Sequence, residues 1–322
     1  MARRAVQIEA ADPAFRADIL AGLAQPLRAI PARWLYDRRG SELFEKITHL
    51  PEYYPTRVET GLLEAHSSDV ADIAGRGNVV VEFGAGSAAK TPILLRRVEP
   101  SAYVPIDISG EFLRHSIDAL RGDFPNLPVH PVEADFMARI PLPDAVAGEP
   151  KLGFFPGSTI GNMVARTAVD LLRAMKEALG VGSYLLIGMD RVKDVDVLLA
   201  AYDDAAGITA AFNLNLLARI NAELGGDIPL DAFRHRAVWN DPLSRIEMHL
   251  EAVRDVAFGV AGQAFSMRAG EAIHTENSHK YGPRDARLLL RAAGWGPVAE
   301  WTDAEARFAL ILAEAEAPRF AP

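Results

Sequence analysis

Asn78 to Gly86 reads NVVVEFGAG, an apolar run interrupted by one carboxylate and closed by two glycines. Such a run suits a strand covered on both faces, because a half-exposed strand would alternate apolar with polar residues. Outward from it, KTPILLRRVE has a helical pattern and AYVPIDIS reads as a second strand. SGEFLRHSIDALRGDF is helical, with Leu113, Ile117 and Leu120 along one side, and PVHPVEADF is a third strand. KLGFFPGSTIGN then reads as a fourth strand, AVDLLRAMKEALGVG as a helix closed by glycine, and SYLLIGMD as a fifth strand. Strands alternating with helices require a parallel, doubly wound α/β sheet.

The alternation stops near Val192. From there to about Ala237 the chain reads as mostly helical, and RIEMHLEAVRDVAFG with QAFSMRAGEAIHTENS reads as one β-hairpin. After Pro283 the rhythm resumes with a helix in DARLLLRAAG and strands in GPVAEWTD and ARFALILAEA. The first sixty residues are short helices broken by Pro26, Pro31, Pro51 and Pro55. The expected division is a sheet domain of residues 58–191 and 281–322, and a second α+β domain of residues 1–57 and 192–280.

Composition limits the classes of function. At 322 residues, with 49% hydrophobic and 24% charged residues, the chain has the profile of a soluble globular protein. A net charge of -9 weighs against nucleic-acid binding, and no apolar run approaches the roughly 20 residues that span a bilayer. The two arginines of the N-terminus have no apolar segment behind them, so no signal peptide is expected. Without cysteine there is no disulfide, thiolate-bound zinc or thiol nucleophile, which fits the cytoplasm.

Ligands of doubly wound folds lie beyond the carboxyl ends of the strands, where EFGAGSAAK, Glu82 to Lys90, is placed. Gly84 and Gly86 permit a tight turn and close approach of a ligand. Asp107 ends the second strand, spaced to accept hydrogen bonds from ribose hydroxyls. Both NAD and S-adenosylmethionine meet these demands. Three details favour S-adenosylmethionine: Glu82 two residues before the first glycine, Ala89 with Lys90 in place of a third glycine, and Asp135-Phe136 ending the third strand, where a carboxylate and a ring suit adenine.

Four clusters are candidates for a substrate site. LYDRRGSELFEKITHLPEYYPTR (35–57) carries Tyr36, Tyr53 and Tyr54, and GSTIGN (157–162) follows the fourth strand. AAYDDAAGITAAFN carries Tyr202 beside Asp203 and Asp204; adjacent residues on a helix point about 100° apart, so this acid pair reads as a solvated face. The fourth is HTENSHKY (274–281). Its two histidines fall on opposite sides of a strand and about 140° apart on a helix, so no metal is expected there. As a strand it places His274, Glu276, Ser278 and Lys280 on one face, with Glu276 and Ser278 about 7 Å apart along the chain. A carboxylate beside a hydroxyl suits a small planar ring with two polar nitrogens.

LYDRRGSELFEKITHLPEYYPTRVE, EFGAGSAAKT, PGSTIGN, AAYDDAAGITAAFN and IHTENSHKY, in that order, resemble the histidine-specific N-alpha-methyltransferases of ergothioneine biosynthesis, from about residue 30 to the C-terminus. The resemblance implies a Rossmann-like class I methyltransferase sheet, a second α+β substrate-binding domain, and trimethylation of the α-amino group of L-histidine to hercynine, with S-adenosylhomocysteine as by-product. By position it implies that Tyr36, Gly84, Lys90, Asp107, Asp135 and Phe136 contact the cofactor. Tyr53, Asn162 and Tyr202 would hold the carboxylate and amine, with Tyr36 and Asn162 positioning the amine for reaction. Glu276 and Ser278 would bind the imidazole, and Met248 would line its pocket. No metal, nucleic acid or membrane enters this expectation, and the protein is expected to be a monomer. The alternatives are methylation of another amino acid or imidazole amine, an NAD-dependent oxidoreductase, and a non-catalytic nucleotide-binding module.

Overall fold

A computed structural model of the chain describes residues 12–86, 90–108, 110–135, 140 and 142–317. It forms two compact units, Met1–Tyr53 with Asp194–Ser278 and Tyr54–Lys193 with His279–Pro322. In chain order the elements begin with α1 (Pro13–Leu23), α2 (Arg38–Thr48), α3 (Tyr54–Ala74), β1 (Val79–Phe83), α4 (Thr91–Val98) and β2 (Tyr103–Asp107). There follow α5 (Gly110–Asp123), β3 (Val132–Glu133), β4 (Lys151–Phe155), α6 (Ala165–Leu179), β5 (Tyr184–Asp190), α7 (Val195–Tyr202) and α8 (Ile208–Leu224). The chain continues with β6 (Phe233–Asn240), β7 (Arg245–Ala252), β8 (Val256–Val260), β9 (Gln263–Met267), β10 (Ala272–His279), α9 (Pro283–Ala292), β11 (Trp295–Thr302) and β12 (Phe308–Ala315). A break at 57/58 would cut α3 in its first turn, whereas the boundary after Tyr53 falls at the helix start.

The larger unit is built on a sheet of order β11-β12-β5-β4-β1-β2-β3. Strands β3, β2, β1, β4 and β5 run parallel, and β12 is antiparallel to both β5 and β11. Every residue of β1 is buried, and the two faces of the strand enter different cores. Val79, Val81 and Phe83 pack with Leu171, Leu172 and Met175 of α6 and Leu289 and Leu290 of α9. Val80 packs with Leu62 and Leu63 of α3 and Leu94 and Leu95 of α4. This two-sided cover is the physical reason for the continuous apolar run, and each such side chain stabilises the fold by about 1.5–3 kcal/mol. The strand order reverses between β1 and β4, which places a switch point at their carboxyl ends.

The smaller unit combines α1, α2, α7 and α8 with a three-stranded sheet of order β10-β7-β6 and the separate hairpin β8–β9. The hairpin expected of residues 245–259 and 263–278 is present in two segments, with β8 paired to β9 across the turn and β7 bordering β10. On its other edge RIEMHLEA also pairs with FRHRAVWN, from Phe233 opposite Ala252 to Asn240 opposite Arg245. The expected helical stretch ends at Leu224, where Gly225 takes the left-handed conformation with φ 59°. Gly225, Gly226 and Pro229 separate α8 from a β-rich segment, a punctuation the helical reading overrode. VAFGV and QAFSM pair with each other across Ala261 and Gly262, both at positive φ, as a two-residue hairpin turn of the primed type demands.

Candidate active site

Strands β1 to β4 of the larger unit each carry a candidate site residue at or beyond the carboxyl end. After β1 the chain turns at Gly84 (φ 73°) and Gly86 (φ 48°), conformations open to glycine at no steric cost. The amides of Gly84 and Ala85 donate to the Ile106 carbonyl at 2.8 and 3.1 Å, folding the loop over the end of β2. Asp107 closes β2, and its Oδ2 accepts from the Gly86 amide at 2.9 Å. The glycine loop and the acid read as its ribose partner are thus one structure. Asp135 lies two residues beyond β3, and Ala134 donates to the Asp107 carbonyl at 3.0 Å. Phe136, expected to pack on adenine, lies outside the described residues, as do Ser87, Ala88 and Ala89.

Two carboxylates beneath this loop divide the work of holding it. Glu82 is 2% exposed and accepts from Thr91 Oγ1 at 2.7 Å and Tyr103 Oη at 2.6 Å, tying the start of α4 to β2. Burial pushes its carboxyl up to about 7, against the pull of those two hydroxyls. Glu59, on α3, is fully buried. It pairs with Lys90, and its two oxygens accept from the Gly157 amide at 2.9 Å each. Glu59 thereby links Lys90, after the glycine loop, to the loop after β4. Sequence reasoning passed over it, although a glutamate three and four residues before Leu62 and Leu63 stands on the apolar face of α3.

Beyond β4, Gly157 (φ 80°) and Ser158 (φ 55°) lead into a 3-10 turn, Thr159–Asn162, that carries Asn162. Ser158 Oγ accepts from the Asp190 amide at 2.9 Å, anchoring the turn to the end of β5.

The aromatic and acid residues expected at the amino-acid site gather in the smaller unit. The rings of Tyr53 and Tyr202 stand 6.2 Å apart, and those of Tyr36 and Phe212 5.4 Å apart. Phe44 contacts Tyr36, Tyr53 and Phe212, completing the cluster. The Tyr36 hydroxyl is pushed well above its ordinary pKa, first by burial and then by the charge of Glu276 and its proximity to Tyr53 and Tyr202. Tyr202 and Ser278 share a 2.6 Å hydrogen bond between their hydroxyls, so the tyrosine read as a carboxylate ligand touches the serine read as an imidazole ligand. Met248 is 1% exposed on β7, and its carbonyl accepts from Thr275 Oγ1 at 3.0 Å.

The face expected for HTENSHKY needs correction. Ile273 and Thr275 are buried in the first half of β10, whereas Glu276 and Ser278 are buried in the second. The alternation changes phase between Thr275 and Glu276, as a β-bulge does, and separates His274 from the pair with which it was grouped. Lys280 lies beyond the strand and pairs with Asp190 at 2.7 Å. Asp204, expected on a solvated face, is 5% exposed and accepts from the amides of Ile208 and Thr209 at 2.9 and 2.7 Å, capping α8.

A further support for Tyr202 was invisible in the sequence. His235 Nε2 donates to the Tyr202 carbonyl at 2.8 Å, and its Nδ1 accepts from Asn213 Nδ2 at 3.0 Å. Burial holds the His235 pKa below its ordinary value, which keeps the ring neutral and suits this arrangement. Asn213 Oδ1 also accepts from Thr275 Oγ1 at 2.7 Å, joining α8, β6 and β10 around the end of α7.

A sheet in which only β12 runs against its neighbours, with a glycine loop and acid-ended strands along its carboxyl edge, defines a class I S-adenosylmethionine-dependent methyltransferase fold. An S-adenosylmethionine-dependent methyltransferase from Clostridium acetobutylicum shares it with a TM-score of 0.51 at 11% identity, covering 85% of this chain and 99% of that one. Residues 15–315 match the family described as "Histidine-specific methyltransferase, SAM-dependent". The histidine N-alpha-methyltransferase of Mycobacterium tuberculosis is 40% identical over 306 residues, 93% of this chain and 94% of that one. The enzyme of the same name from Mycolicibacterium smegmatis is 38% identical over 314 residues, 95% of this chain and 96% of that one. The chain belongs to the histidine-specific, S-adenosylmethionine-dependent methyltransferases.

Proposed function

We propose that the protein transfers three methyl groups in succession from S-adenosylmethionine to the α-amino nitrogen of L-histidine, giving hercynine, the first step of ergothioneine biosynthesis. The observation that carries this reading is the buried pair Glu276 and Ser278, with Tyr202 on the serine and Tyr36 near the glutamate. An imidazole offers two ring nitrogens, a donor and an acceptor when neutral, and a carboxylate beside a hydroxyl matches them. An apolar side chain in their place would leave both buried groups unpaired, at a cost of about 1–3 kcal/mol for each.

S-adenosylmethionine supplies a methyl group on a sulfonium, already activated for transfer. The larger unit fits it by the chemistry of its groups: a loop that turns at Gly84 and Gly86, Asp107 for the ribose hydroxyls and Asp135 for the adenine amine. Lys90, held by Glu59, sets the start of α4 beside that loop. Phe136 would add a ring against adenine.

Direct transfer to nitrogen needs no Lewis acid, and we assign no metal to it. It needs a neutral amine with its lone pair in line with the methyl carbon. An α-amino group carries a proton at neutral pH, and that proton must leave before the lone pair can attack. Tyr36 and Asn162 position the amine, Tyr53 and Tyr202 hold the carboxylate side, and Met248 walls the ring pocket. The nitrogen lone pair forms the new N–C bond as the S–C bond breaks, and S-adenosylhomocysteine leaves with that electron pair. One proton leaves the nitrogen before each of the three transfers, three in all, and the trimethylated nitrogen keeps a fixed positive charge. The reading extends to a monomer acting in the cytoplasm on a free amino acid; no helix among the described residues is long and apolar enough to cross a membrane.

Mass spectrometry of the purified protein with S-adenosylmethionine and each of the twenty amino acids tests the proposal. Histidine alone is expected to gain up to three methyl groups, and preference for any other amino acid would overturn it. Glu276→Ala is expected to cut the preference for histidine over phenylalanine and tyrosine by about tenfold or more.

A further inference from the structure

The sheet of the smaller unit carries a second cluster, made of groups the methyl transfer does not use. Along β7, Ile246, Met248 and Leu250 are buried, while Arg245, Glu247 and His249 between them are half-buried on the opposite face. Strand β10 borders β7, and His274 stands half-buried on it. The His249 and His274 rings stack with centroids 4.9 Å apart and planes at 25°. One ligand atom from each of Glu247, His249 and His274 lies within 4.8 Å of the others.

The finer geometry suits a cation. Glu247 Oε2 and His249 Nε2 are 3.1 Å apart, close to the roughly 3.3 Å edge of a tetrahedron whose metal–ligand bonds are about 2.0–2.1 Å. The other glutamate oxygen accepts from Asn240 Nδ2 at 2.9 Å and Arg245 Nε at 2.8 Å, which orients the carboxylate. His274 Nε2 lies 2.9 Å from the Glu276 carbonyl. A ring that donates there carries its proton on Nε2 and keeps a lone pair on Nδ1. Metal-binding histidines and carboxylates characteristically make outer bonds of this kind, which fix tautomer and orientation.

We infer that Glu247, His249 and His274 form a site for one divalent ion of the zinc class, bridging β7 and β10, with a fourth position open to water. His274 meets a histidine and a glutamate supplied by the neighbouring strand. Half-burial leaves an entry path for the ion: the Glu247 and His249 side chains are 13% and 20% exposed. The ion pins β10 one residue pair before Ser278, through the bond from His274 to the Glu276 carbonyl. It is a stabiliser of that strand, and the site stands whether or not Glu276 binds imidazole.

The test uses untagged full-length protein, stripped with a chelator and titrated with Zn²⁺ in the absence of amino acid and cofactor. Calorimetry is expected to give one ion per chain, with affinity falling at least tenfold in Glu247→Gln and at least a hundredfold in His249→Ala. His66→Ala, in which an imidazole paired with Asp69 on the larger unit is removed, is expected to bind as the wild type does. In the wild type, where no variant has to fold, Zn²⁺ is expected to shift the ring resonances of His249 and His274 at one equivalent. No binding at one equivalent, equal binding by both site variants, or shifts confined to the other histidines would overturn the inference.

Discussion

Glu82 and Glu59 are two buried carboxylates of one unit with different company. Glu59 faces the ammonium group of Lys90. Glu82 has two hydroxyl donors, and burial outweighs them, raising its carboxyl from the ordinary range to about 7. An unfolded chain releases this proton near pH 4, so between about 4 and 7 the folded protein binds more protons than the unfolded one. The stabilisation from the protonated form is complete below the unfolded pKa and is lost as pH rises through about 7. Urea unfolding of the wild type and Glu82→Gln at pH 5 and pH 8 measures it: the variant is expected to gain on the order of 2 kcal/mol over the wild type between those values. Parallel pH profiles would show that Glu82 does not hold its proton. In sequence Glu82 is read as a mark of the cofactor loop, and in the structure it lies near the end of β1, just before the turn at Gly84. Its downward hydrogen bonds to Thr91 and Tyr103 depend on α4 and β2 and leave no trace in the local pattern.

Among the elements, the short 3-10 turn after β4 is where packing constrains position most tightly. A Cβ at Gly161 would meet the His279 carbonyl oxygen at 2.9 Å and its nitrogen at 3.2 Å, backbone atoms that cannot rotate away. Gly161→Ala is expected to cost about 1–3 kcal/mol through overpacking and to displace the adjacent Asn162. Since a misplacement of about 1 Å can cost on the order of a hundredfold in rate, kcat/KM for histidine should fall by about tenfold to a hundredfold. The dissociation constant for S-adenosylhomocysteine should change by less than threefold. Equal losses in both would argue against Asn162 as a substrate residue. The strands show why element reading succeeds or fails. In β1, apolar residues on both faces leave one interpretation. In β6, FRHRAVWN has no long apolar run, and its strand character comes from pairing with β7. In β10, alternation places Glu276 and Ser278 on one side correctly, but a one-residue change of phase moves His274 to the other.

At the scale of the molecule, the chain passes between its two units after residues 53, 193 and 278. Beside those points stand Tyr54, Lys193 and Lys280, and all three bond to Asp190 at the end of β5, at 2.8, 2.5 and 2.7 Å. Burial alone would raise the Asp190 carboxyl, but the charges of Lys280 and Lys193 outweigh it and hold the pKa below the ordinary value. Lys193 is lowered to about 8, with burial as the first cause, opposed by Asp190. Asp190→Asn removes the carboxylate that these two buried ammonium groups face, and a broken buried pair costs about 3–5 kcal/mol. Urea unfolding at pH 7 should show that loss as a lower midpoint; a change below about 1 kcal/mol would mean that the network contributes little.

The sequence by itself determined the doubly wound sheet, the glycine loop and the acids at the strand ends, because periodicity, glycine placement and strand-end spacing are local properties of the chain. It also marked Tyr36, Tyr53, Tyr202, Glu276 and Ser278 as chemistry-bearing residues. Tertiary structure alone decided that residues as distant as Tyr36 and Glu276 share one cluster, that Tyr202 bonds to Ser278, and that His274 meets His249 instead of His279. Those pairings follow from strand order and from a phase change within β10, and both are set by packing between segments that no local pattern connects.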